Sequence, residues 1–154
     1  MQMSRFGMTA KRMQGFTLIE LMIVIVIVAI LVSIGYPSYT QYLTRSKRQA
    51  AKNMIYQITD RQEQFFLDNR AYAANLSALG FAADTMALDR SGQLTGAGDT
   101  ERTYTFDLQN TSATTYTVRI IPQLRQASHD SACGTLTLTH TGNRGNSGTA
   151  TNCW

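Results

Sequence analysis

The chain has 154 residues, one domain's worth, with 44% apolar residues and a formal net charge of +4. Three of its 14 basic residues, Arg5, Lys11 and Arg12, precede a long apolar run, and without them 11 basic residues face 10 acidic ones. The overall charge therefore gives no argument for a nucleic-acid partner. The two histidines, His129 and His140, have no CxxC or HExxH partner set, and no phosphate-binding glycine loop occurs, so no catalytic residues, cofactor or metal are predicted.

The first element is residues 16–36. Every residue from Leu21 to Val32 is apolar, and 21 residues make about 31 Å of helix, the thickness of a hydrocarbon core at roughly 30 Å. This predicts a single membrane span. A cleaved secretory signal fits less well: the apolar run is longer than usual, and Ser33-Ile34-Gly35-Tyr36 is a poor small-x-small site. Arg5, Lys11 and Arg12 before the span nearly balance Arg45, Lys47, Arg48 and Lys52 after it, so the positive-inside rule does not orient it. The two cysteines, Cys133 and Cys153, do. A disulfide between them persists outside the cytoplasm, which places the amino terminus inside; free or metal-bound thiols are the alternative.

Glu20 sits near the start of this apolar run. A carboxylate costs about 2.5–3.5 kcal/mol at the centre of a span and less near an end. It either snorkels to the interface without a role or pairs with a positive charge. An α-amino group created by a cut before Phe16 would lie four residues away, on the same face of a helix, in its own subunit or a neighbour.

The string Gly15-Phe16-Thr17-Leu18-Ile19-Glu20, behind Lys11-Arg12 and ahead of a long apolar helix, resembles the class III signal of the type IV pilin family. The resemblance implies that a prepilin peptidase cuts the Gly15–Phe16 bond at the cytoplasmic face and N-methylates Phe16. The helix is then retained, first among the lipids of the bacterial inner membrane and later as the core of an extracellular pilus. For Glu20 the resemblance implies a role in assembly, offsetting the amine of an adjoining subunit. For Pro37 it implies a helix bend, although by itself Pro37 could equally end the membrane helix. Implied partners are the peptidase, other major and minor pilins, and the inner-membrane assembly platform. The leader of 15 residues is longer than in the commonest subclass, and Met8 offers an alternative start.

Residues 37–68 continue as an amphipathic helix. Leu43, Ala50, Ala51, Met54, Ile55, Ile58, Phe65 and Phe66 recur at helical spacing and predict one core-facing stripe. The basic cluster at 45–52 reads as a solvated face or a contact with lipid headgroups. DNA capture ranks behind these, because no aromatic residues interleave the charges. Residues 68–102 read as a connection with one short helix near Leu76–Phe81. Asp84, Asp89 and Asp99 lack the spacing of a compact calcium loop. The segments 103–109 and 114–122 alternate as a hairpin around Asn110-Thr111-Ser112, and 134–142 supplies a third strand. A three- or four-stranded antiparallel sheet on the second half of the long helix follows.

The expected fold is therefore α+β: a long N-terminal helix packed on a small antiparallel sheet, which is also the fold the resemblance implies. The expected divisions are a leader (1–15), a filament-core helix (16–36), its amphipathic continuation (37–68) and an extracytoplasmic head (69–154). The Cys133–Cys153 segment resembles the C-terminal disulfide loop of pilins. The stretch 45–73 with the terminal Cys153-Trp154 resembles minor pilins of the PilE type, which prime or cap filaments. The expected function is a structural pilus subunit, supporting twitching motility, adhesion or DNA uptake. A major pilin, a type II secretion pseudopilin and a tip adhesin or DNA-binding pilin using the 141–153 loop or the 45–52 cluster are the alternatives.

Overall fold

The computed structural model describes residues 15–154; most of the expected leader, with the alternative start at Met8, lies outside the described residues. The chain divides into two units, Met1–Ser38 and Tyr39–Trp154. Helix α1 (Leu18–Asn69) passes through Pro37 without ending there, so the reading of Pro37 as a terminator is set aside. In the first unit the helix carries an exposed apolar surface: Ile25, Leu31 and Ile34 are 63%, 64% and 67% exposed. It is long and apolar enough to cross a membrane.

The second unit contains the core. After α1 come a 3-10 turn (Ser77–Leu79), β1 (Met86–Leu88), β2 (Leu94–Gly96), β3 (Tyr104–Gln109), β4 (Thr117–Pro122), helix α2 (Leu124–His129), β5 (Leu136–Thr139) and β6 (Arg144–Asn146). The six strands form one sheet in the order β2-β1-β3-β4-β5-β6, with every pairing antiparallel. The expected architecture is present, with six strands instead of three or four. The strands read from the sequence are β3, β4 and β5. The others have three residues each, too few for alternation to be visible, and β1 is buried at all three positions.

The inner face of the sheet presents Tyr104, Phe106, Val118, Ile120, Leu136 and Leu138, which share one cluster with Ala51, Met54, Ile55 and Ile58 of α1. The predicted stripe is buried at Ala51, Met54, Ile55 and Ile58 and only half-buried at Leu43, Ala50, Phe65 and Phe66. Between these limits a polar residue, Gln62, is fully buried. Its amide donates to the Ala73 carbonyl at 3.0 Å and accepts from the Ala73 N–H at 2.9 Å. That reciprocal pair satisfies two backbone groups beneath the chain's exit from α1.

Candidate functional site

The helix start is built by a short local sequence. Thr17 is the residue before α1 and Glu20 the third within it. The Thr17 N–H donates to Glu20 Oε2 at 3.4 Å, and the Glu20 N–H donates to Thr17 Oγ1 at 3.3 Å. This is a capping box, whose T-x-x-E signature is visible in the sequence as Thr17-Leu18-Ile19-Glu20. Because α1 starts at Leu18, Phe16 lies outside the helix and is 81% exposed. Gly15 lies just before Phe16, with open space where a Cβ would be.

The second cluster lies within Tyr39–Trp154. Cys133 and Cys153 are joined by a disulfide, closing a loop that contains β5 and β6. Gly148 lets this loop fold onto residue 132, since a Cβ there would fall on the Ala132 carbonyl. The loop and α1 are the two walls of a groove of about 520 Å³. Gln41, Arg45, Arg48 and Lys52 line one wall, Ala150, Asn152 and the disulfide the other, and His129 of α2 also contributes. The positions 41, 45, 48 and 52 repeat every three or four residues, so one helix face supplies all three cations.

These cations are not equivalent. Arg48 is tied to Asp130, a carboxylate only 1% exposed: Arg48 Nε donates to Asp130 Oδ2 at 3.0 Å, and Arg48 Nη2 pairs with Oδ1. The Tyr104 hydroxyl also donates to Asp130, and Gln126 of α2 bridges Tyr104 Oη at 2.8 Å and the Thr44 carbonyl at 3.2 Å. The hydrogen bond to Asp130 holds the Arg48 pKa above its ordinary value against the opposing effect of burial. Lys52 has its pKa lowered by burial first, then by the charges of Arg48 and Arg144. Arg144 on β6 is thus an electrostatic neighbour of Lys52, although 92 positions separate them in the chain. Arg144 also lies over the Trp154 ring, 5.7 Å from its centroid, and the indole N–H donates to the Gly145 carbonyl at 3.0 Å.

The basic cluster at 45–52 and the 141–153 loop, treated as separate candidates in the sequence, therefore belong to one place. Asp130 and α2 had no signal in the sequence, since Asp130 meets Arg48 across 82 positions. Asp84, Asp89 and Asp99 cap local turns: Asp84 accepts from the Ser77 N–H, Asp89 from Ser91 and Gln93, and Asp99 from Thr95 and Glu101. His140 is 6.2–6.3 Å, centroid to centroid, from the rings of Tyr116 and Tyr72.

Comparison with known proteins matches residues 37–137 to the family described as "Type IV minor pilin ComP, DNA uptake sequence receptor" and residues 10–36 to the prokaryotic N-terminal methylation motif. The chain is 38% identical over 84 residues to the type IV major pilin protein PilA of Myxococcus xanthus, covering 54% of this chain and 37% of that protein. It is 40% identical over 70 residues to the fimbrial protein EcpC of Eikenella corrodens, covering 46% of each. It is 32% identical over 74 residues to the type II secretion system core protein G of Pectobacterium carotovorum, covering 48% and 47%. The chain spans about half the length of such relatives, or less.

Proposed function

The chain belongs to the type IV pilin family, and we propose that it is a minor subunit of the pilus that takes part in DNA uptake. The observation that carries this reading is the groove that sets Arg45 and Lys52 of α1 opposite the disulfide loop, with the charge of Arg144 on that loop felt at Lys52. Phosphates are held by cations free of internal carboxylates, and these three side chains make no ion pair among the described residues, whereas Arg48 does. The match to a family described as a DNA uptake sequence receptor covers residues 37–137, which include the α1 wall of this groove with His129, Ala132 and Cys133.

In this reading the span at 16–36 anchors the subunit in the inner membrane with its amino terminus in the cytoplasm. A prepilin peptidase cuts Gly15–Phe16 and N-methylates Phe16, and the assembly platform then moves the subunit into a filament with other major and minor pilins. Glu20, already hydrogen-bonded within its own helix, exchanges that partner for the amine of a neighbouring Phe16. The head carries the groove on the filament.

Two measurements test the proposal. Mass spectrometry of sheared surface filaments should find an N-methylated Phe16 terminus at a small fraction of another pilin. The same terminus as the dominant species would make the chain a major pilin, and its absence from filaments would favour a secretion pseudopilin. Titration of the full chain in detergent with labelled DNA should show binding that weakens with salt. Charge removal at Arg45, Lys52 and Arg144 should abolish it; unchanged affinity in that variant would remove the DNA-uptake role.

A further inference from the structure

Resting on the membrane-anchored stage of the reading above, we infer that the first turns of the second unit form a collar in the lipid headgroups, with Tyr39 and Tyr42 in the interfacial layer and Arg45 and Lys47 on the phosphates of anionic lipid.

The exposure of two large rings is the first reason. Tyr39 and Tyr42 are 60% and 68% exposed, more than any other aromatic residue of this unit. Neither ring stacks on another ring or lies under a cation among the described residues. A phenol is apolar along its ring and polar at its tip. It suits a layer that is apolar on one side and wet on the other, and tyrosine is enriched at membrane interfaces accordingly.

Position along the chain is the second reason. Tyr39 is the third residue after the apolar run of 16–36, so these turns are the first to leave the bilayer. Tyr39 to Arg45 takes up about 9 Å of helix axis, and the headgroup layer on each side of the hydrocarbon is roughly 5–8 Å thick. Side chains on a helix tilt toward its N-terminus, here toward the bilayer, so the Arg45 guanidinium reaches back into that layer. Arg45 and Lys47 make no ion pair among the described residues, whereas Arg48 is held by Asp130. Each such cation near an anionic leaflet strengthens attachment roughly fivefold.

The third reason separates a bilayer from a protein partner. At about 100° per residue, Tyr42 and Arg45 follow Tyr39 in steps of roughly 60° one way round the helix, and Lys47 lies about 80° the other way. The four therefore cover roughly 200° of the circumference within two or three turns. A partner lying alongside α1, a second copy of this chain included, needs one stripe along the axis. A plane that the helix crosses needs a ring at one level.

The test reconstitutes the full chain in vesicles of phosphatidylcholine and phosphatidylglycerol, part of the latter carrying a photoreactive headgroup. A carbonate wash separates inserted from loose protein before irradiation, and mass spectrometry then counts adducts per residue. Adducts are expected at residues 39–47 at least tenfold above the rest of the head. Arg45→Gln with Lys47→Gln should lower them about fivefold or more. Tyr39→Ser with Tyr42→Ser should also lower them, while Tyr39→Trp with Tyr42→Trp, which keeps the interfacial chemistry, should not. None of the four side chains belongs to the core, so these variants keep the fold. Even labelling over the head, or unchanged labelling in the charge or the serine variant, overturns the collar and leaves the anchored stage standing. Release of the protein by carbonate overturns both.

Discussion

Replacing Asp130 should lower stability and raise DNA affinity together. Asp130 is 1% exposed and receives Arg48 and Tyr104, while the Arg48 side chain is only 15% exposed. Removing the carboxylate strands a guanidinium in a largely dry site, which costs about 3–5 kcal/mol for a buried pair. At about 4 °C per kcal/mol for a unit of this size, Tyr39–Trp154, the midpoint of thermal unfolding should fall by roughly 12–20 °C. Asp130→Asn keeps the shape and an acceptor for Tyr104, so the loss reports the charge and not a cavity. Arg48→Met combined with Asp130→Asn should cost at least ~1 kcal/mol less than the sum of the two single changes, because no unpaired charge remains. In the same Asp130→Asn protein, the charge of Arg48, which also lines the groove, is no longer neutralised by a carboxylate. DNA affinity should rise, with a salt dependence steeper by about 0.9 in log–log slope for a duplex. Urea and thermal unfolding followed by circular dichroism, and DNA titration across salt, measure both. A stability loss below ~1 kcal/mol, or additive single changes, would refute the buried-pair argument. Weaker DNA binding would refute the view that Asp130 withholds a groove cation.

Three further outcomes are expected. Reducing the Cys133–Cys153 disulfide, which spans 20 positions, should lower stability by about 3 kcal/mol in the chain-entropy model, measured as a shift in urea midpoint, and should weaken DNA binding because one groove wall is freed. Tyr104 and Tyr116 have phenol pKa values raised by burial first, with Asp130 and Glu63 respectively adding to the effect. Their stabilisation is complete below the ordinary value near 10, and as the unfolded chain ionises it is lost by up to ~1.4 kcal/mol per pH unit for each phenol; unfolding midpoints between about pH 9 and 11 should fall, and Tyr116→Phe should flatten the slope. Glu20→Ala should leave cleavage at Gly15 intact and reduce incorporation into filaments, read by immunoblotting of membrane and sheared fractions; normal incorporation would count against the assembly role.

The local parts of this protein were legible because short-range chemistry writes them. The span is a property of consecutive residues, and the stripe Ala51, Met54, Ile55 and Ile58 follows from helical spacing alone. The alternation in β3, β4 and β5 likewise persists over enough residues to be read. Tertiary contacts decided what three-residue segments cannot encode: β1 and β6 became strands by pairing with the longer β3 and β5, and β2 by pairing with β1. They also decided the site. Arg48 and Asp130, or Lys52 and Arg144, carry no mutual signal in a linear pattern, because a charge's partner is set by the folded path between them. Basic residues on α1 could be counted from the sequence; which of them is held by a carboxylate depended on where Asp130 came to rest.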